Sequence, residues 1–306
     1  MYMNHFLFLD EICVGSSVLR IVRDDLYPFV GGGSKARKAV EYERFLKAEG
    51  YNAVVTCGGI QSNHIRAIAL MAARNGWKCH LCVQGAKERF ESEKGNALLC
   101  RLSGVECETI DPSETAVAMD RAMGTFANAG YKPYYVHGGG HDLPGGTCFV
   151  DAVKELKRQC DTADYKPDYL FLASGTGSTH AGIVVGCELV GWHDVKVVGI
   201  SVARQYERGK QVVVDFANML GEYYGVKKDF SDSVIFNADY LFGGYEQFVP
   251  EMETYLKDVM KTTGLMLDTT YSGKAFYGMM DIIKKNNLQN KNIIFWHTGG
   301  LMNLMK

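Results

Sequence analysis

The sequence has almost no net charge, since 33 lysines and arginines stand against 35 aspartates and glutamates, which gives −2 over 306 residues. It also has no block of basic residues of the kind that marks nucleic-acid binding. No uninterrupted apolar run reaches the roughly 18 residues that a membrane helix needs. The apolar run at the start has no basic region before it and no small-residue cleavage site after it. We therefore expect a cytoplasmic protein that binds neither nucleic acid nor membrane.

Zinc-ligand spacing occurs only once among the nine cysteines. Their odd number suits free, mostly buried thiols in a reducing compartment. Cys79 and Cys82 have the spacing of two zinc ligands, but they lie in an apolar run that reads as a strand. No second pair of this kind and no close histidine pair completes a four-ligand site. We expect no metal.

Apolar residues make up 47% and charged residues 22% of the chain, which is typical of a globular protein. Strand and helix patterns alternate along most of it, for example a strand at 53–57 before a helix at 63–75. Parallel strands need crossover connections, which are usually helical, so the alternation alone predicts an α/β fold with a doubly wound, parallel twisted sheet flanked by helices in a single domain. Neither an internal repeat nor a low-complexity linker marks a domain boundary.

A glycine-rich stretch at 31–35 (GGGSK) lies between an extended segment at 19–23 and a predicted helix at 36–48. Three consecutive glycines allow backbone conformations closed to other residues and let a ligand approach closely. A desolvated lysine amine loses its proton near neutral pH and forms a Schiff base with an aldehyde, so Lys35 is a candidate reactive group. Taken alone, the stretch is more typical of a flexible loop before a basic helix.

Two further stretches follow strands and open helices, where free backbone N–H groups favour anions. The first is a candidate phosphate loop, and it consists of Ser174, Gly175, Thr176, Gly177, Ser178 and Thr179. It lacks the spacings of dinucleotide and nucleoside-triphosphate loops, and short turns of this kind are common. The second, Gln61-Ser62-Asn63, is either a plain helix cap or a site for a substrate carboxylate.

Five motifs, at 31–38, 56–66, 173–182, 271–274 and 297–300, occur in an order that closely resembles one enzyme group. These are the pyridoxal-phosphate enzymes of the tryptophan-synthase β-like fold (fold type II), in the branch of D-cysteine desulfhydrase and 1-aminocyclopropane-1-carboxylate deaminase. The resemblance covers about 19–300. It implies pyridoxal phosphate as cofactor, a small amino acid as substrate and a homodimer. It also implies a large cofactor-binding domain at 1–40 and 147–306, with a small α/β domain inserted at 41–146.

The resemblance implies roles for individual residues. Lys35 would hold the cofactor and move the substrate α-proton, residues 174–179 would bind the cofactor phosphate, and Asn63 would contact its ring hydroxyl. The residues expected to act in catalysis beside Lys35 are Ser62, Tyr245 and Tyr271, and those expected to bind substrate are Gln61, Ser62, Asn63 and His64. Ser272 would contact the pyridine nitrogen.

Ser272 decides between reactions in this interpretation. A carboxylate at this position would keep the pyridine nitrogen protonated and strengthen the electron sink, as in the cyclopropane deaminases. A serine hydroxyl does not compel protonation, so the sequence favours α,β-elimination that yields a 2-oxo acid and ammonia. Ring-opening deamination, β-replacement and racemisation remain the alternatives. A non-catalytic sensor would lack the reactive lysine or the phosphate loop, and both are present.

Three departures from the branch concern substrate more than cofactor. Ser34 stands where the family usually has asparagine, and Glu246 where it usually has glycine. The loop at 138–146 also differs, and it carries His141 and Asp142. Those two residues either recognise a polar substrate group or are solvated loop residues.

Overall fold

The computed structural model describes residues 6–15 and 17–306. The strands in these ranges are β1 Leu9–Val14, β2 Ser17–Arg23, β3 Ala53–Gly59, β4 Lys78–Gln84, β5 Glu106–Ile110, β6 Pro133–Val136, β7 Tyr169–Ser174, β8 Lys196–Ser201, β9 Ile235–Asn237 and β10 Ile293–His297. The α-helices are α1 Ser34–Ala48, α2 Asn63–Asn75, α3 Lys87–Ser92, α4 Gly95–Leu102, α5 Thr115–Asn128, α6 Leu143–Thr162, α7 Ser178–Leu189, α8 Tyr206–Tyr223, α9 Pro250–Thr263 and α10 Ser272–Lys285.

The chain divides into two compact units. The large unit comprises Met1–Tyr27 with Gly146–Leu301, and the small unit comprises Pro28–Gly145 with Met302–Lys306. Relative to the division expected from the resemblance, residues 28–40, with Lys35 among them, group with the small unit, and so do residues 302–306. The assignment of functional domains stays a prediction.

The large unit contains a sheet in the order β1-β2-β10-β7-β8-β9, in which only the β1–β2 pair is antiparallel. Every residue of β10 is buried, and so are five of the six residues of β7. Strands covered by helices on both faces read as continuous apolar runs, which is why 293–296 (IIFW) and 170–173 (LFLA) show no polar alternation.

The small unit contains an all-parallel sheet in the order β5-β4-β3-β6. Helix α2 covers the same bounds as its sequence pattern because both ends have caps. The Ser62 hydroxyl accepts a hydrogen bond from the His64 N–H at 3.2 Å, and Gly76 ends the helix in the left-handed conformation.

Each sheet has one point at which the strand order reverses. The chain runs from β7 outwards through β8 and β9, and then returns on the other side of β7 with β10. In the small unit it runs from β3 through β4 and β5, and then returns on the other side of β3 with β6. Ligands of such sheets bind at the carboxyl ends of the strands at this switch point. The loops after β7 and β10, and after β3 and β6, are therefore the expected site loops of their units.

The predicted alternation of parallel strands and helices is confirmed, but several boundaries differ. Helix α1 begins at Ser34, so Lys35 lies in its first turn and not in a loop. The sequence pattern predicts a helix at about 92–102, and the structure has α4 from Gly95, with a φ of 59°, after the separate short helix α3 that ends at Ser92. The pattern also predicts a helix at 275–285, and α10 begins three residues earlier, at Ser272. Within the described residues, no helix combines the length and the apolar character that crossing a membrane requires.

Candidate active site

Lys35 lies in the first turn of α1 with its side chain half-buried. Its amine donates a hydrogen bond to the carbonyl oxygen of Gly139 at 3.0 Å. The buried Lys38 donates to the same oxygen at 2.9 Å and to that of Gly140 at 3.3 Å. Because these glycines follow β6, the two lysines connect the start of α1 to the carboxyl end of that strand.

Arg66, on α2, fixes the glycine-rich loop ahead of Lys35. Its guanidinium donates hydrogen bonds to the carbonyl oxygens of Val30 and, at 3.2 Å, of Gly32. Gly31 has a φ of +85°, and a Cβ there would overlap the guanidinium. Arg66 is buried, which lowers its pKa to about 10 and still leaves it charged at neutral pH. The loop is therefore built around a fixed positive charge.

Ser62 and Asn63 stand where α2 begins, after the carboxyl end of β3. Ser62 is the N-cap, and this confirms the cap predicted from the sequence. The side-chain oxygen of Asn63 accepts a hydrogen bond from the Asn96 amide at 3.1 Å. Its predicted contact with the cofactor stays a prediction.

Gln61 is buried, and both polar atoms of its side chain have partners in the small unit. The amide nitrogen donates to Glu93 at 2.8 Å and to the Lys94 carbonyl oxygen at 3.1 Å. The amide oxygen accepts from the Asn96 N–H at 3.0 Å. Gln61 therefore holds the turn before α2 against the start of α4, and its contact with substrate stays a prediction.

His64 is buried, and its Nε2 lies 2.9 Å from the hydroxyl oxygen of Thr56. That hydroxyl donates to the carbonyl oxygen of Val136 at 2.9 Å, so it accepts from the Nε2–H of a neutral imidazole. Burial lowers the pKa of His64 well below its usual value, and the positive charges of Lys35 and Lys38 lower it further. His64 thus lies near both amines, and it joins β3 to β6 at the switch point. Its predicted substrate contact stays untested.

Asp142, in the loop after β6, is not a solvated loop residue. Its carboxylate accepts a hydrogen bond from the hydroxyl of Tyr42 on α1 and one from the Gly145 N–H at 3.3 Å. Burial raises the pKa of this carboxyl above its usual value. Asp142 is therefore held by residues of the small unit, and its recognition of a substrate group stays a prediction.

In the large unit, the candidate phosphate loop follows β7 and opens α7, as predicted. Gly177 is the N-cap, with a φ of 103° that favours glycine, and it has no side chain to occupy the N–H groups of the first turn. Arg204, after β8, donates a hydrogen bond to the carbonyl oxygen of Gly175. The loop thus combines a helix N-terminus with a nearby positive charge, which suits a phosphate group.

Ser174 lies apart from the other hydroxyls of this loop. Its Oγ is 3.4 Å from Nδ1 of His180, whose Nε2 is 3.4 Å from the carbonyl oxygen of Val197. Burial lowers the pKa of His180 to about 4, so the ring is neutral. The Ser174 hydroxyl accordingly faces the interior of the unit, and its predicted phosphate contact stays untested.

The structure brings Tyr245 and Tyr271 together through a hydrogen bond between their hydroxyl groups. Tyr245 is 39% exposed, but desolvation of its hydroxyl raises its pKa to about 12. Burial raises the pKa of Tyr271 well above its usual value. Both phenols therefore keep their protons near neutral pH, and the pair has one hydroxyl proton left to donate to a ligand.

Ser272 is buried, and its hydroxyl donates to Oδ1 of Asp268 at 2.7 Å. Asp268 is itself fully buried, and a Cβ on Gly300, in the loop after β10, would overlap its carboxylate. None of the sequence motifs contains Asp268. The available signal was the aspartate four residues before Ser272, since aspartate near a helix start often caps it. Arg66 and Arg204 were given no role from the sequence either. Arg66 ends the motif at 56–66, but its partners Val30 and Gly32 are far away in the sequence, and Arg204 lies in none of the five motifs.

Comparison with known proteins adds an independent line of evidence. A family model described as "Pyridoxal-phosphate dependent enzyme" matches residues 11–299. D-cysteine desulfhydrase of Klebsiella pneumoniae is 30% identical over 285 residues, which are 92% of this chain and 86% of that protein. A 1-aminocyclopropane-1-carboxylate deaminase of Methylobacterium nodulans is 31% identical over 284 residues, 88% of this chain and 82% of that protein.

Solved structures agree with this grouping. One described as an ACC deaminase homologue matches with a TM-score of 0.84 at 31% identity, and the match covers 94% of this chain and 86% of that one. A threonine deaminase, with a TM-score of 0.65 and 14% identity, shares the fold. These likenesses confirm the predicted fold class. From the family match and the relatives that cover most of its length, the chain belongs to the family of pyridoxal-phosphate-dependent enzymes.

Proposed function

We propose that this enzyme is a lyase that removes the amino group of a small amino acid by α,β-elimination, with a 2-oxo acid and ammonia as products. The observation that carries the proposal is the setting of Lys35, whose amine is held at the carboxyl end of β6 near a neutral, buried His64. A lysine amine in such a place serves both to attach an aldehyde cofactor and to move a proton.

Pyridoxal phosphate, when bound, supplies an electron sink for the charge left by removal of the α-proton. Lys35 would supply the amine that holds the cofactor and would move that α-proton. We propose that the first turn of α7 binds the cofactor phosphate, because no side-chain cap occupies its N–H groups and Arg204 binds the same loop at Gly175. The first turn of α2, with Ser62 and Asn63, would bind the substrate carboxylate for the same electrostatic reason.

Tyr245 and Tyr271 are proposed to act on the leaving group or on the substrate side chain. Because the pKa of each phenol is raised, neither tyrosine serves as a base near neutral pH. The shared hydrogen bond fixes the direction of both hydroxyls, so one of them donates to substrate in a defined orientation. A general acid of this kind suits the expulsion of a β-substituent.

Ring-opening deamination of 1-aminocyclopropane-1-carboxylate is a second candidate, and one observation favours it. An isolated serine hydroxyl at position 272 would disfavour ring opening, because it does not keep the pyridine nitrogen protonated. Ser272 is instead hydrogen-bonded to the buried carboxylate of Asp268. That carboxylate removes the electrostatic reason for preferring elimination, so the two reactions have to be separated by assay.

The test is a substrate panel with product identification. The purified protein, with pyridoxal phosphate present, would be given D- and L-cysteine, D- and L-serine and 1-aminocyclopropane-1-carboxylate, with the Lys35→Ala variant as control. Pyruvate from cysteine or serine supports elimination. 2-Oxobutyrate from the cyclopropane alone supports ring opening, and no 2-oxo acid from any substrate overturns both proposals.

We also propose that the enzyme is a cytoplasmic homodimer. All nine cysteines are free thiols, and seven of them are buried, which suits a reducing compartment. The homodimer rests on the resemblance alone. Sedimentation equilibrium of the purified chain tests it, since a species with the mass of one chain would contradict it.

A further inference from the structure

Asp268 is a buried carboxylate with an unusually complete set of donors. Its Oδ2 accepts from the N–H groups of Thr270 at 3.1 Å and Tyr271 at 3.0 Å. Its Oδ1 accepts from Ser272 twice, from the N–H at 2.9 Å and from the hydroxyl at 2.7 Å. The three N–H groups are fixed donors at the start of α10, so they favour the ionised carboxylate. Burial acts in the opposite direction and raises the pKa of Asp268.

The contacts of Ser272 decide what its hydroxyl can offer to a ligand. A hydroxyl has one proton and two acceptor lone pairs. The proton goes to Oδ1 of Asp268, and one lone pair accepts from the Asp268 N–H at 3.2 Å. Only an acceptor lone pair is left. A ligand atom bound by Ser272 must therefore donate a hydrogen bond to it.

Thr270 provides a second observation at the same place. Its side chain is buried, and its Oγ1 has no hydrogen-bond partner among the residues that the structure describes. Buried hydroxyls in folded proteins almost always have a partner. An unsatisfied hydroxyl two residues from Ser272 therefore indicates that a polar ligand completes this part of the large unit.

We infer that Asp268 is a positioning residue that acts through Ser272 to keep the ring nitrogen of the cofactor protonated. This inference rests on the proposed function and on the contact between Ser272 and that nitrogen that the family resemblance implies. The Ser272 oxygen would accept a hydrogen bond from the ring nitrogen, whose proton comes from solvent. Ser272 would keep its own proton directed at Asp268. No bond within either side chain breaks, and the negative charge stays on the carboxylate.

The consequence is a stronger electron sink than an isolated serine hydroxyl would give, in a chain that has serine at the contact position. Asp268 is four residues before Ser272 and points away from solvent, so the position that touches the nitrogen and the position that sets its charge are different residues.

The test reads the protonation state of the ring nitrogen directly. The enzyme would be reconstituted with pyridoxal phosphate carrying ¹⁵N in the ring, and nuclear magnetic resonance would show whether the nitrogen has a bonded proton. We expect a pyridinium signal in the parent. Asp268→Asn should abolish it, because the new amide donates to Ser272 and turns the hydroxyl toward the nitrogen as a donor.

Asp281→Asn is the matched control. Asp281 lies on the same helix, where its carboxylate accepts from the Tyr240 hydroxyl at 2.8 Å, and this variant should keep the pyridinium signal. Ser272→Ala is the second test variant, since it retains the three N–H groups that cap the carboxylate and removes only the link. It should also lose the signal. If Asp268→Asn does not fold, Ser272→Ala decides.

Two results would overturn the inference alone: a bound cofactor with an unprotonated nitrogen in the parent, or a pyridinium signal that persists in a folded Asp268→Asn or Ser272→Ala protein. Asp268 would then be a helix cap only. A parent protein that never binds pyridoxal phosphate would instead overturn the proposed function, and the inference with it. The absorbance of the reconstituted parent separates these outcomes before any resonance is recorded.

Discussion

The amine of Lys274 lies 2.6 Å from the carbonyl oxygen of Gly244. It also donates to the carbonyl oxygen of Leu241 at 2.9 Å, and its side chain is completely buried. The turn that contains Gly244 has positive φ angles at Phe242, Gly243, Gly244 and Glu246. Such a turn needs external support, so Lys274 on α10 holds the segment that presents Tyr245 to Tyr271.

Lys274→Met should lower kcat while the cofactor stays bound. The variant fills the same space but loses both hydrogen bonds, so Tyr245 is no longer fixed against Tyr271 and donates a proton less often in the right direction. Formation of 2-oxo acid measures kcat, and absorbance measures cofactor content. Lys285→Met is the control on the same helix, where Lys285 makes an exposed ion pair with Asp281. An unchanged kcat in Lys274→Met would show that the turn keeps its conformation without the two hydrogen bonds from Lys274.

The stability provided by Lys274 should rise with pH. Burial lowers its pKa from 10.5 to about 8, so between these values the unfolded chain binds more protons than the folded one. Stability then increases with pH across this window, with an upper limit of about 3 kcal/mol. Urea unfolding of the parent and Lys274→Met at pH 7 and pH 10 measures the difference. If the stability difference between the parent and Lys274→Met is the same at both pH values, or falls at pH 10, the pKa of Lys274 in the folded protein is not lowered.

Tyr245→Phe and Tyr271→Phe should have non-additive effects on turnover. The two hydroxyls share one hydrogen bond, so the first substitution already disorders the partner and the second removes less. We expect the double variant to be about as slow as the slower single variant. Tyr223→Phe, an exposed position on α8, is the control and should match the parent. If the fold reductions in rate of the two single variants multiply in the double variant, the tyrosines act separately.

Gly31→Ala should be more damaging than Gly50→Ala, although both glycines have positive φ. Gly50 has a φ of +71° with open space around its Cβ position, so alanine there should destabilise by about 1–2 kcal/mol from backbone strain alone. Gly31 has the same strain, and its Cβ would also meet the buried guanidinium of Arg66. Thermal unfolding and cofactor retention measure the two effects. Equal losses in both variants would contradict a role for Arg66 in shaping the loop.

Lys35→Ala should lose covalent attachment of the cofactor. Borohydride treatment of the parent should fix pyridoxal phosphate permanently to the peptide that contains residue 35, as mass spectrometry of a digest would show. Lys47→Ala, at the exposed end of the same helix, should be labelled like the parent. A label on Lys38 in the parent would instead assign the attachment to the buried lysine one turn later.

Much of the fold was predictable because local patterns determine it. Apolar runs such as 293–296 indicate buried parallel strands, and Ser62 with Gly76 marks both ends of α2. The short strand β9 and the short helix α3 were not predicted, since elements of three and six residues leave little trace in apolar periodicity. The candidate lysine and the candidate phosphate loop lie in runs of neighbouring residues that stand out in the sequence, and the two candidate tyrosines were identified by the family resemblance.

By itself, the sequence determined the family, the cofactor and the identity of the motif residues, because these depend on side-chain types at fixed spacings. The tertiary structure alone decided their protonation and their partners. Ser272, His64 and Asp142 form hydrogen bonds with the side chains of Asp268, Thr56 and Tyr42, which folding brings alongside them, and burial shifts the pKa of each titratable group. Ser272 illustrates this difference between sequence and tertiary structure. From the sequence it is a neutral hydroxyl, and only the folded chain places a buried carboxylate 2.7 Å from its oxygen.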